Sequence, residues 1–187
     1  MKKSLGRKTI AYPLPVYLVG SYDENGQANI MTAAWGGVVC SEPAALGVSV
    51  RASRLTHSSI LKNKAFTISF PSAKLVKAVD FAGLVSGSNY DKFEKCSLKA
   101  IKSDLVAAPY VAQCPVVAEL SLVNRFDLGS HTLFIGQVED VKADEEVLGP
   151  NGLEAEKIDP LIYFPSQKYF RLGDFAGQAF SIGLSRK

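Results

Sequence analysis

Two apolar runs in "VYLVGSYDENGQANIMTAAW", residues 16–35, flank the polar triplet Glu24-Asn25-Gly26. Asn-Gly supplies the positive φ values that a tight hairpin needs, so the stretch predicts strand, turn, strand. "ALGVSVR" (45–51) is a short strand, and "LTHSSILKNK" (55–64) is a short helix with the Thr56 hydroxyl as its N-cap. The next strand is "AFTISFP". From Ser72 to Leu84, Leu75, Val76, Val79 and Ala82 fall at helical spacing behind Ser72, a second candidate cap. That stripe predicts a helix packed on a sheet. Residues 85–109 are mixed, and "SGSNYDKF" within them reads as a loop. Beyond it, "PVVAELSLVNRFDLG" and "HTLFIGQVEDVKAD" meet at Gly129 and Ser130, which predicts a long antiparallel pair able to span a barrel wall. The tail holds a strand-like "PLIYFP" and the aromatic "KYFRLGDFAG".

Many strands, turns and only short helices give a mainly β fold, an antiparallel barrel or sandwich. Neither G-x-G-x-x-G nor a Gly-Lys-Ser/Thr loop is present, which removes the Rossmann and P-loop nucleotide sites. A length of 187 residues without repeat or linker predicts one domain over 1–187. The 47% hydrophobic and 21% charged fractions are those of a folded globular chain. With a formal charge of +3 and scattered basic residues, nucleic acid is not an expected partner. "MKKSLGRK" looks like a basic leader, but Pro13, Pro15 and Asp23 interrupt the apolar run that a leader would need next, so a mature cytoplasmic N-terminus is expected. No apolar run approaches the ~18 residues of a membrane helix, and no membrane partner is expected. Cys40, Cys96 and Cys114 lack C-x-x-C spacing, so they predict buried inert thiols rather than a disulfide framework or a metal site.

Polar chemistry concentrates in "SVRASRLTHSS", residues 49–59, where a strand gives way to a helix. Two guanidiniums, several hydroxyls and the free N–H groups of a helix start favour an anion such as phosphate. The opposing reading has Thr56 as a plain cap and Arg51 and Arg54 in solvent. In "NIMTAAWGG", small residues let backbone groups approach a flat ligand, with Trp35 as a stacking surface or a core residue. His131 opens a strand with no Ser/His/Asp order and no metal-ligand spacing around it. By pattern it is a strand-end histidine or a functional one.

In order along the chain, "ANIMTAAW", "EPAALGVSVR", "RLTHSSI", "FTISFP", "YDKF", "GSHTLFIGQV" and "DPLIYFPSQKYFRLG" resemble the flavin reductase-like family, which includes flavoredoxins and archaeal ferric reductases. The resemblance implies an FMN-binding split β-barrel of Greek-key type, a homodimer with flavin near the subunit interface. It implies an oxidoreductase in which FMN takes a hydride from NADH or NADPH and passes electrons to a flavin, ferric complex or protein acceptor. The alternative is an electron-relay or FMN-binding module without turnover. Asn29, Met31, Thr32, Ala33, Ala34 and Trp35 then match the segment along the flavin ring. Ser49, Val50, Arg51, Ser53, Thr56, His57 and Ser58 match the ribityl and phosphate segment. Lys92 is similar to a further basic contact. Tyr169, with Tyr163 and Arg171, belongs to an aromatic tail that walls the site, crosses the dimer or simply packs. His131 matches a histidine near flavin and nicotinamide, where a ring with a pKa of about 6.5 places substrate or donates a hydrogen bond. Ser130, rather than an acidic residue before that histidine, leans toward the flavoredoxin-like branch.

Overall fold

The structure, a computed structural model, describes residues 1–186. Seven strands form the main sheet: β1 (Tyr17–Tyr22), β2 (Ala28–Ala33), β3 (Gly36–Ser41), β4 (Ala44–Arg51), β5 (Ala65–Phe70), β6 (Val116–Asp127) and β7 (His131–Ala143). All pairs are antiparallel and the spatial order is β2-β1-β5-β6-β7-β4-β3. Helix α1 (Leu55–Asn63) carries the chain from β4 back to β5, which lies beside β1 in a Greek-key crossover.

The two edge strands, β2 and β3, are consecutive in sequence, joined only by Ala34 and Trp35. An extended chain covers at most about 3.6 Å per residue, so Ala33 and Gly36 stay within about 11 Å and the sheet must curl until its edges meet. The result is a barrel split along one seam. At that seam the Ser49 N–H donates to the Trp35 carbonyl at 2.8 Å. A Cβ on Gly36 would stand 2.6 Å from the Gly47 carbonyl oxygen, so only glycine permits this approach.

Strand parity explains the uninterrupted apolar run of β1. Tyr17 and Val19 point into the barrel with Met31, Phe66, Leu120 and Phe134. Val16, Leu18 and Ile30 point outward against Val79, Ala82 and Phe93, which come from α2 (Val76–Leu84) and α3 (Lys92–Lys95). With both faces covered, no polar alternation is left to see. A three-stranded sheet of Leu14–Pro15, Ile162–Phe164 and Lys168–Phe170 lies beside this outer layer and brings Tyr163 and Tyr169 against it.

The hairpin turn is as expected: Gly26 has φ +79°, and the Asp23 carboxylate accepts from the Asn25 and Gln27 N–H groups at 2.8 Å each. The β6–β7 pair is also as expected, bent by two register shifts, one at Val123 of β6 and one at Glu139 of β7. Other expectations are corrected. The segment from Ser72 begins as a 3-10 turn, Ala73–Leu75, before α2, and Ser72 makes no side-chain cap. "SGSNYDKF" is not all loop, because the Asp91 carboxylate accepts the Glu94 N–H at 3.0 Å and starts α3. Strand β3, "GGVVCS", has no sequence pattern, since as an edge strand it is exposed over most of its length. It therefore carries Cys40 into solvent, and Cys96 is half-buried; only Cys114 is a buried thiol, pushed up to about 12 by burial and by Asp144.

Candidate functional site

A cleft of about 220 Å³ opens at the barrel seam. Residues Met31 to Trp35 form its β2–β3 corner; Ser49, Val50 and Arg51 come from the end of β4, Arg54 from the start of α1, and His131 from β7. Register places His131 opposite Arg51. The side chains of Met31, Ala33 and Val50 belong to the barrel core, so these residues bring backbone to the cleft.

Its charge is all of one sign. Among the described residues no carboxylate lines the cleft. Among the described residues the Arg51 guanidinium makes neither hydrogen bond nor ion pair. Arg54 donates one N–H to the Gly83 carbonyl at 3.2 Å and keeps its other donors. Helix α1 starts with no side-chain cap and no acidic residue in its first turn. Its partial positive end is therefore uncompensated, which is the physical requirement for holding an anion.

Trp35 is 42% exposed and stacks on the His131 ring, with centroids 4.7 Å apart and planes 27° from parallel. It is a wall of the site and not a core residue. His131 Nδ1 lies 2.9 Å from Ser130 Oγ, and Nε2 has no protein partner among the described residues. Burial, then the charge of Arg51, lowers the His131 pKa below the usual 6.5, so the ring is neutral near pH 7.

Asn29, Ser53, Thr56, His57, Ser58 and Lys92, all sequence candidates, do not line this cleft. Thr56 is not the α1 cap; it is buried, and its hydroxyl accepts from Asn29 Nδ2 at 3.0 Å. That bond also commits Asn29, which is buried. His57 Nε2 lies 2.9 Å from Thr132 Oγ1, whose single proton goes to Asp127 at 2.7 Å, so His57 is the donor in a chain running away from the seam. Burial leads in lowering its pKa, Asp127 opposes, and Arg125 adds to the lowering. Ser58 Oγ donates to the Leu55 carbonyl, and Ser53 is exposed outside the cleft. Lys92 is only 4% exposed, and its ammonium donates to the Ile30 carbonyl at 2.9 Å and the Ala82 carbonyl at 2.8 Å. Burial first, and Arg54 second, push it down to about 8. Lys92 braces β2 against the end of α2.

A second cavity, about 460 Å³, adjoins the first at Thr32 and Ala34. Val16, Tyr163, Tyr169 and Gln167 line it together with Asp80, Gly83 and Leu84 of α2. Tyr169 OH donates to Asp80 Oδ1 at 3.1 Å; burial, then that bond and charge, raise the phenol to about 12. Asp80, Gly83, Leu84 and Gln167 were missed in the sequence. The available signal was spacing: Asp80, Gly83 and Leu84 stand at i, i+3, i+4, one continuous helix stripe beside the apolar one. The larger cavity alone falls within the ~300–1,000 Å³ of small-molecule sites, and the seam cleft extends it.

A sequence profile described as the flavin reductase like domain matches residues 9–173. The chain belongs to the flavin reductase-like family. Within it, the structure is similar to the flavoredoxin of Desulfovibrio vulgaris (Miyazaki F), at 46% identity, TM-score 0.93, covering 98% of this chain and 100% of that one. It is also similar to an FMN-binding protein from Thermus thermophilus solved with bound 1-cyclohex-2-enone, at 26% identity, TM-score 0.80, covering 95% and 97%. A ferric-chelate reductase (NAD(P)H) of Archaeoglobus fulgidus is 31% identical over 58% of this chain and 64% of its own length. The open seven-stranded sheet is thus the split barrel of this family. No helix among the described residues is long and apolar enough to cross a membrane.

Proposed function

We propose that the protein is an FMN-dependent oxidoreductase that takes a hydride from NADH or NADPH and passes electrons to a flavin, ferric complex or protein acceptor. The observation that carries this reading is the seam cleft: two guanidiniums and an uncapped helix start, with no carboxylate, beside the stacked Trp35–His131 pair. The donor set fits a phosphate dianion, and the small residues of the β2–β3 corner fit a flat ring. Membership of the family and likeness to an FMN-binding protein support the cofactor.

Bound there, FMN supplies acceptance of a hydride and release of its electrons to an acceptor. Arg51, Arg54 and the first N–H groups of α1 would hold the phosphate. The backbone of Thr32, Ala33 and Ala34 would offer polar groups to the ring. Trp35 fixes the plane of His131 by stacking, and Ser130 holds Nδ1, so the neutral imidazole presents Nε2 toward the cleft. His131 orients the nicotinamide rather than acting as an obligatory acid. Val38, 77% exposed on β3, Val39, and Val123, Phe126 and Leu128 at the free end of the β6–β7 hairpin form the apolar surface of a homodimer. A monomer in sedimentation at micromolar concentration would remove that part of the reading.

The test begins with the visible spectrum after incubation with FMN and removal of free flavin. A retained, shifted flavin band is expected, and its absence contradicts resident FMN. Anaerobic mixing with each nicotinamide should then bleach the band; a loaded protein ignored by both is an electron relay. His131→Ala should slow bleaching at least about tenfold, with a much smaller loss of FMN affinity. The reverse pattern would remove His131 from the substrate side.

A further inference from the structure

The larger cavity differs from the seam cleft in its chemistry. Among the described residues its ionisable lining groups are Asp80, Tyr163 and Tyr169, and no lysine, arginine or histidine lines it. Asp80 Oδ1 accepts from Tyr169, whereas Oδ2 has neither a hydrogen bond nor an ion pair among the described residues. The Tyr163 and Tyr169 rings, 5.7 Å apart and tilted by 54°, make an aromatic corner beside that carboxylate. The Thr32 hydroxyl is turned away, donating to the Val79 carbonyl of α2.

We propose that this cavity binds an uncharged or cationic planar six-membered ring and rejects anionic ones, with Asp80 as the selecting residue. Aromatic faces carry the negative side of the ring quadrupole and attract cations. A carboxylate with a free oxygen adds to that attraction, while a ring bearing its own carboxylate meets repulsion and finds no cation to pair with. Because the cavity shares Thr32 and Ala34 with the seam cleft, the bound ring lies next to the occupant of the seam. That this ring is the electron-exchange partner rests on the flavin reading above; the charge selection does not.

Three probes of one shape separate the possibilities: benzamidine, benzamide and benzoate. Their affinities are measured by saturation-transfer NMR on the full chain with FMN added, and FMN loading is read from the visible band of the same samples. Benzamidine should bind about fivefold more tightly than benzamide, and benzamide about fivefold more tightly than benzoate, the scale of one charge contact at a solvated site. Asp80→Asn should bring benzamidine and benzoate within about twofold of each other. Tyr169→Phe, which keeps the ring and frees the carboxylate, should preserve the order. Saturable binding by none of the three, benzoate binding as well as benzamidine, or an order unchanged by Asp80→Asn would overturn the proposal. Failure of FMN loading with the order intact removes the flavin reading alone; loading with the order absent removes the selection alone.

Discussion

The two cavities that meet at Thr32 and Ala34 are built by different means. The seam cleft is walled by strand ends whose positions are set by backbone pairing: Arg51 opposite His131, Ser49 tied to Trp35. The larger cavity lies between α2 and the short C-terminal sheet, linked across by side chains, Tyr169 to Asp80 and Thr32 to α2. Their charges among the described residues are also opposite, arginines without a carboxylate in one and a carboxylate without a cation in the other. A site so divided orients a ligand before any close contact forms, because an anionic group is favoured at one end and disfavoured at the other.

Removing the positive end should break the comparison with the largest effect. Each charge-assisted contact to phosphate contributes about 1.5–3 kcal/mol, so Arg51→Ala should weaken FMN binding by about tenfold and the Arg51→Ala/Arg54→Ala double variant by at least about 100-fold. Flavin fluorescence titration measures both. If the double variant stays within about threefold of wild type, the phosphate is not at the seam. Arg54 also ties α1 to the Gly83 carbonyl, so its variant should disturb the second cavity more than Arg51→Ala does.

Lys92 lies behind both cavities, bonded to β2 at Ile30 and to α2 at Ala82. Its pKa, about 8 in the folded protein against 10.5 unperturbed, means that the unfolded chain binds more protons between those values. Stability from this group therefore rises with pH across that window; below 8 the full penalty of a buried charge remains, and above 10.5 it is relieved. At ~1.4 kcal/mol per pH unit the span is about 3 kcal/mol. Lys92→Met removes this linkage, so the stability of wild type relative to the variant should climb by that amount from about pH 7.5 to 10.5 in denaturant unfolding. A difference that is flat with pH would mean that the ammonium is already solvated.

Legibility in the residue pattern divides along the same line. The hairpin, the long β6–β7 pair and the anion-favouring run from Ser49 to Arg54 are legible because turn chemistry, paired apolar runs and clustered guanidiniums are local signals. The family resemblance pointed to the seam residues together. Local signals fail where tertiary partners decide. Thr56 has the form of a cap, but Asn29, 27 residues away, takes its hydroxyl inside the core. Lys92 has the form of a surface cation, but two backbone carbonyls from distant elements draw it inside. The larger cavity is assembled from residues near 16, 32, 80 and 167 in the chain, so no window contains it. Trp35, between the two edge strands, is exposed through its place at the seam rather than through any local pattern.

The smallest expected effect tests whether the shared wall couples the two cavities. Thr32 belongs to both linings, and its hydroxyl, donating to the Val79 carbonyl, is the side-chain hydrogen bond from β2 to α2 at that wall. Thr32→Val keeps the shape and removes one part-buried hydrogen bond, a loss of about 1 kcal/mol. For a domain of this size that lowers the melting temperature by about 2–4 °C. Because the bond sets the distance between the β2 end and α2, ring binding in the larger cavity should weaken by a few-fold while FMN affinity changes less. Equal losses in both would mean that Thr32 contacts the flavin directly, and no loss in either would mean that Lys92 alone holds the wall in place.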